Sequence, residues 1–93
     1  MSTFVTLYNY TGAIEGGGPE RLAKVEQIVA EEDGKILQIF GLLGAYDVVS
    51  ISEFPDNQGA MKAAARVGNL IGANTHTMPA VEQEAFIQML SEL

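Results

Sequence analysis

Residues Thr3 to Asn9 alternate between two side-chain sets: Phe4, Thr6 and Tyr8 project one way, Val5 and Leu7 the other. That period of two predicts a strand with two usable faces. From Pro19 to about Asp33 the spacing changes. Leu22, Val25, Ile28 and Val29 fall on one stripe, with Glu20, Lys24, Glu31 and Glu32 outside it, which predicts an amphipathic helix. Pro19 suits its first turn and Gly34 its C-terminal stop. Lys35 to Leu43 (KILQIFGLL) is apolar on both phases and reads as a second strand covered on both sides. Tyr46 to Phe54 (YDVVSISEF) reads as a third, with Val49 and Ile51 on one face and Tyr46, Val48, Ser50 and Ser52 on the other.

Pro55-Asp56 closes that strand, and Asp56 is placed to cap a second helix running from about Asn57 to Leu70. This helix presents Met61, Ala64, Ala65 and Gly68, and Ala60, Ala64, Gly68 and Gly72 recur every four residues. A face of such small residues lets a helix sit close to a sheet. Ala73 to Met78 (ANTHTM) predicts a short fourth strand stopped by Pro79, and Val81 to Leu93 an amphipathic helix with Ala85, Phe86, Met89, Leu90 and Leu93 on its apolar side. The order βαββαβ is the split-βαβ plan of an α+β, ferredoxin-like domain. Right-handed crossovers then give a four-stranded antiparallel sheet of order 4-1-3-2, with both main helices on one face and an extra C-terminal helix. Phe4, Tyr8, Tyr46 and Val48 are assigned to the opposite face. An apolar face of that size is an interaction surface, and a second copy stacked there covers it.

At 93 residues the chain makes one domain. A domain this short buries only about 60–65% of its unfolded surface, so association with itself adds burial that its own core lacks. No apolar run approaches the roughly 18–20 residues of a membrane span. The opening MSTFVTLYNY lacks the charged and apolar regions of a signal peptide, which makes the cytoplasm the expected location. With no cysteine, disulfides, thiolate catalysis, zinc fingers and iron–sulfur clusters are excluded. The net charge of −7, with five scattered basic residues, argues against nucleic acid and against an anionic membrane surface.

Gly44…Tyr46-Asp47, followed by Glu53-Phe54-Pro55-Asp56, resembles the signature of the GYD domain family. The likeness extends over FVTLYNYT, PERLAKVEQIVAEEDGKI, GAYDVVSISEFPD and ANTHTMPAVEQEAF, nearly the whole chain. It implies a ferredoxin-like fold of the dimeric α/β-barrel group, in which two sheets face each other, and implies little about activity. Family members often carry a basic residue where this chain has Asn74 or Pro79, so the resemblance does not extend to an anion site.

Candidate chemistry is sparse. The loop from Thr11 to Pro19 is glycine-rich but lacks the phosphate-cradling patterns, and reads as a connector. His76 is the only histidine, in phase with Asn74 and Met78. It is a candidate general base or an interface residue, and with no second histidine or cysteine no metal is expected. Tyr46 and Asp47, adjacent on a strand, point to opposite faces and cannot act on one atom. Tyr46 is expected to face the inter-sheet space, Asp47, on the helix-side phase with Val49, to bond backbone amides at the hairpin or a helix end, and Gly44 to supply a turn with φ > 0. Phe4, Thr6, Tyr8, Tyr46, Val48, Ser50 and His76 are the residues expected to line a cavity between paired sheets. No cofactor is expected. Three functions fit: a homo-oligomeric small-molecule-binding module, a cofactor-independent enzyme of monooxygenase or isomerase type using His76 and Tyr46, and an assembly protein.

Overall fold

The computed structural model describes residues 1–12 and 18–93. Of the glycine-rich connector expected from Thr11 to Pro19, residues 13–17 lie outside the described residues. Element order is β1 (Ser2–Tyr10), α1 (Gly18–Glu31), β2 (Lys35–Gly41), β3 (Val48–Phe54), α2 (Asn57–Ile71), β4 (Ala73–Ala80) and α3 (Gln83–Ser91). The sheet order β2-β3-β1-β4, all antiparallel, is the one expected from the split-βαβ plan with right-handed crossovers.

β4 runs two residues beyond Met78, through Pro79. Proline is tolerated because β4 is an edge strand that needs no further ladder donor on its outer side. β2 ends at Gly41 and β3 starts at Val48, so Tyr46 and Asp47 belong to the connection rather than to a strand. Within it Gly44 takes φ 143°, a conformation that favours glycine. A bulge between Ile36 and Gln38 interrupts the β2–β3 register.

α1 is stopped by Asp33, which takes φ 59°, while the Gly34 amide donates to the Val29 carbonyl at 2.9 Å. Gly34 is needed for a different reason than expected: a Cβ there collides with the Phe54 ring. α2 begins at Asp56, whose carboxylate accepts from the Gly59 amide at 2.8 Å, and ends at Gly72 with φ 67°. Its buried side is Ala60, Ala63 and Val67, whereas Met61 and Ala65 are exposed. The expected close approach occurs at Gly68, where an added Cβ stands 2.9 Å from the Ala73 carbonyl oxygen.

The core is Phe4, Val29, Phe54, Ala60 and Ala63, flanked by Ile28 and Ile36. Phe4 and Phe54 meet edge to face with centroids 5.9 Å apart, a favoured aromatic geometry. Phe4, Thr6 and Tyr8 therefore face the helices, and their cross-strand partners Ser52, Ser50 and Val48 face them too. This reverses the expected assignment of Phe4, Tyr8 and Val48 to the uncovered face. That face carries Val5, Leu7, Val49, Ile51 and Met78 instead. Both phases of β1 are apolar enough to be buried, and alternation alone does not say which one meets the helices.

α1 approaches only α2 and β2, and Val29 in its last turn is its one buried residue. Its C-terminal end packs on the core while its N-terminal half stands off the sheet. α3 approaches no other element, and all of residues 81–93 are exposed. The molecule accordingly measures 47 × 30 × 18 Å with a radius of gyration of 14.1 Å, against about 12 Å for a compact chain of this length.

Candidate functional site

β1 and β3 together turn a row of hydroxyls toward the helices. Thr6, Tyr8, Ser50 and Ser52 are all buried. The hydroxyls of Thr6 and Thr77 lie 2.9 Å apart, and those of Tyr8 and Ser50 3.2 Å apart. Burial pushes the Tyr8 phenol up, and its hydrogen bonds to Ser50 and Thr6 draw it only part of the way back. The phenol is therefore a neutral hydrogen-bonding group throughout the physiological range. Among the described residues no buried side-chain polar atom lacks a partner.

Over this row lies a cavity of about 440 Å³, inside the roughly 300–1,000 Å³ span of small-molecule sites. Its floor is the hydroxyl row. One wall is α1, through Leu22, Val25 and Val29; the other is α2, through Ala63, Ala64, Val67 and Ile71. Ile36 and Ile39 of β2 close the side, and Tyr10 and Arg21 stand at the end where α1 begins. The space exists because α1 diverges from the sheet while α2 offers alanines rather than larger side chains. Chemically the arrangement can hold an apolar body and offer neutral donors and acceptors to one polar group on it.

Of the residues expected to line a ligand cavity, Thr6, Tyr8, Val48 and Ser50 line this one, but on the helix side of the sheet rather than between paired sheets. Phe4 packs in the adjoining core. Tyr46 and His76 lie elsewhere. His76 is the register partner of Leu7, so it projects from the uncovered face, where its exposed ring meets Tyr46 edge to face at 5.7 Å. The sheet separates this pair from the hydroxyl row, and within one chain the two cannot act on the same molecule. Asp47 bonds a backbone amide as expected: its Oδ2 accepts from the Tyr10 N–H at 2.8 Å. Val49, however, faces away from the helices with Leu7. Among the described residues no three His, Asp or Glu side chains are gathered to hold a metal ion, and no helix is long and apolar enough to cross a membrane.

The helix-side wall residues were missed in the sequence. A signal existed: Thr6, Ser50 and Ser52 share the phase of Phe4 and Phe54. Hydroxyls on an otherwise core-forming phase mark either a polar network or a lined cavity.

Strand order, one-sided helices and the lined cleft define a ferredoxin-like α+β domain. The chain belongs to the GYD domain family, whose model matches residues 4–90. No curated protein matches it. Among solved structures, it is similar to 30S ribosomal protein S6 from Thermotoga maritima, with TM-score 0.59 and 16% identity over 97% of both chains. It is similar also to TTHA0845 from Thermus thermophilus, with TM-score 0.57 and 19% identity over 88% of this chain and 95% of that one. The leucine response regulatory protein LrpA from Mycobacterium tuberculosis gives TM-score 0.66 and 11% identity over 88% of this chain. The match spans 51% of LrpA. At these identities the likeness is one of fold.

Proposed function

We propose that this GYD domain protein is a homo-oligomeric binding module for a small, largely apolar molecule carrying one hydrogen-bonding group, and that the helix-side cleft is its site. One observation carries the reading: a cavity of about 440 Å³ with apolar walls has four hydroxyl side chains along its floor. Thr6 pairs with Thr77 and Tyr8 with Ser50, which offsets the cost of burying those hydroxyls, but an all-aliphatic row fills a plain core without incurring it. A ligand whose hydroxyl, carbonyl or carboxyl group meets Tyr8, Ser50 and Ser52 gives them a use. Self-association by stacking the uncovered sheet faces, as in a dimeric α/β barrel, removes Val5, Leu7, Val49 and Ile51 from water. The enzyme reading retains only Tyr46 and His76, which among the described residues make no side-chain hydrogen bond.

The test is thermal unfolding of the parent and of Ala64→Phe against medium-chain alcohols, fatty acids and substituted phenols. A ligand at about 100 times its Kd stabilises by about 2.7 kcal/mol, a rise in Tm of roughly 10 °C or more at this size. The parent is expected to respond to at least one class. Ala64→Phe, which fills the cleft with its own ring, is expected to stay folded and lose the response. If every class leaves the parent unmoved and Ala64→Phe merely raises Tm, the cleft is a packing void and the binding reading fails.

A further inference from the structure

α3 is a nine-residue helix with no support from its own domain. Phe86, Ile87, Met89 and Leu90 are 45–54% exposed. Phe86 and Leu90 are four residues apart and Ile87 and Leu90 three, so they share one side. A helix below about 12–15 residues is marginal alone in water, so α3 needs a surface. The helix-side face of its own sheet is already occupied by α1 and α2. It leaves the sheet directly after Ala80, at the end of edge strand β4.

The opposite edge of the sheet carries a matching apolar surface. On β2, Leu37 at the bulge is 43% exposed and Phe40 49%. Lys35, Glu53, Thr3 and Ala80 form one row across the sheet, so β2 begins at the same end where β4 finishes. A two-fold axis parallel to the strands, through the middle of stacked open faces, exchanges the two edges and keeps that end in place. It sets the start of one copy's α3 beside the start of the other copy's β2.

We propose that α3 of each protomer docks on the β2 edge of a second copy of this chain, over Leu37 and Phe40. The inference rests on the face-to-face pairing proposed above. Charge agrees with it: Glu82 is the N-cap of α3 and Glu84 lies in its first turn, and Lys35, exposed and without a carboxylate partner among the described residues, opens β2. Area agrees as well. Four strands of seven to nine residues, about 4.8 Å apart and rising about 3.3 Å per residue, present a footprint of roughly 500 Å², short of the about 800 Å² per partner of a stable interface. The two exchanged helices, related by the same axis, supply what the sheet faces lack.

The chain has no cysteine, so a Leu37→Cys, Phe86→Cys double variant gives a clean background for a short bismaleimide cross-linker. A covalent dimer on a denaturing gel is expected. A linked monomer, or no linkage, overturns the docking. Independently, Phe86→Glu with Leu90→Glu alters only residues exposed in the protomer. It is expected to weaken the dimer at least tenfold by sedimentation, with the circular dichroism losing no more than the helical signal of the nine residues of α3. A dimer of unchanged strength counts against α3 alone and leaves face pairing standing, whereas a parent chain that sediments as a monomer removes both.

Discussion

Asp47 illustrates how one side chain fixes a connection that has no regular structure. Its carboxylate accepts from the Tyr10 N–H at 2.8 Å, its own N–H donates to the Tyr8 carbonyl at 2.9 Å, and its carbonyl accepts from Leu42 N–H at 2.8 Å. The β2–β3 connection is thus sewn to the last residues of β1, next to the phenol that floors the cleft. Asp47→Ala leaves the partly buried Tyr10 amide without its acceptor, a loss of about 1–3 kcal/mol. Asp47→Asn keeps an acceptor oxygen and is expected to recover at least half of that. Urea unfolding of the three proteins checks it, and equal stability of the alanine and parent chains sinks the account. The amide-bonding role of Asp47 and the φ > 0 of Gly44 were legible in the sequence because turn chemistry is local. The face occupied by Phe4, Thr6 and Tyr8 was not. Alternation separates Phe4 from Val5, but only the place of Phe4 in one buried cluster with Val29 and Ala60 says which phase meets the helices. The candidate list therefore held four true cleft residues under the wrong geometry, and joined them to Tyr46 and His76 across the thickness of the sheet.

At the scale of elements, the two main helices are held together at one end and diverge at the other. Glu31 and Glu32 close α1, where negative charge opposes the helix dipole. In the sequence they stand only as positions outside the apolar stripe of the helix. In the structure Arg66 of α2 donates to Glu31 at 2.6 Å and to Glu32 at 3.0 Å, a pairing between residues far apart in the chain that no local spacing announces. The Arg66 hydrogen bond, seconded by Gln27, holds the Glu31 carboxyl below its ordinary value. A carboxyl whose folded value is lowered binds fewer protons folded than unfolded, so its contribution is complete above the unfolded value. It is lost as pH falls through the folded one. The parent's Tm is therefore expected to drop more steeply than that of Arg66→Gln between about pH 5 and pH 3. At neutral pH and high salt the two should converge, because the pair is solvent-exposed and screened. Parallel pH curves for the two proteins reject the linkage. The same clasp bears on the proposed site. It fixes α1 beside the core at Val29 while leaving Leu22 and Val25 apart from the sheet, which is the origin of the cleft volume.

The whole molecule is a sheet with one face under helices and the other bare, and the bare face is apolar at its centre. Val49 lies on β3, an inner strand, opposite Leu7 on one side and Phe40 on the other. A small domain has little core to spare, and this one leaves a band of aliphatic side chains uncovered together with a C-terminal helix. Covering one sheet face with another would remove that band from water and leave the helix-side cleft untouched, so the proposed assembly and binding surfaces lie on opposite faces. A separation of roles follows that is open to measurement. Val49→Glu places a charge at the middle of the face in a chain that is already at −7. Buried against a second acidic copy, that carboxylate lacks a cation and is strongly unfavourable, whereas on the separated protomer it is solvated. The parent is expected to sediment as a dimer or a multiple of it, and Val49→Glu as a folded monomer whose far-ultraviolet dichroism falls below the parent's by no more than the nine residues of α3. Its response to cleft ligands should persist, because Thr6, Tyr8, Ser50 and Ser52 lie on the other side of the sheet. A Val49→Glu protein that remains a native oligomer refutes the stacked-face assembly. A monomer that keeps its fold but loses the ligand response shows instead that the cleft is shaped by the partner, and that the two faces are coupled through the strands they share.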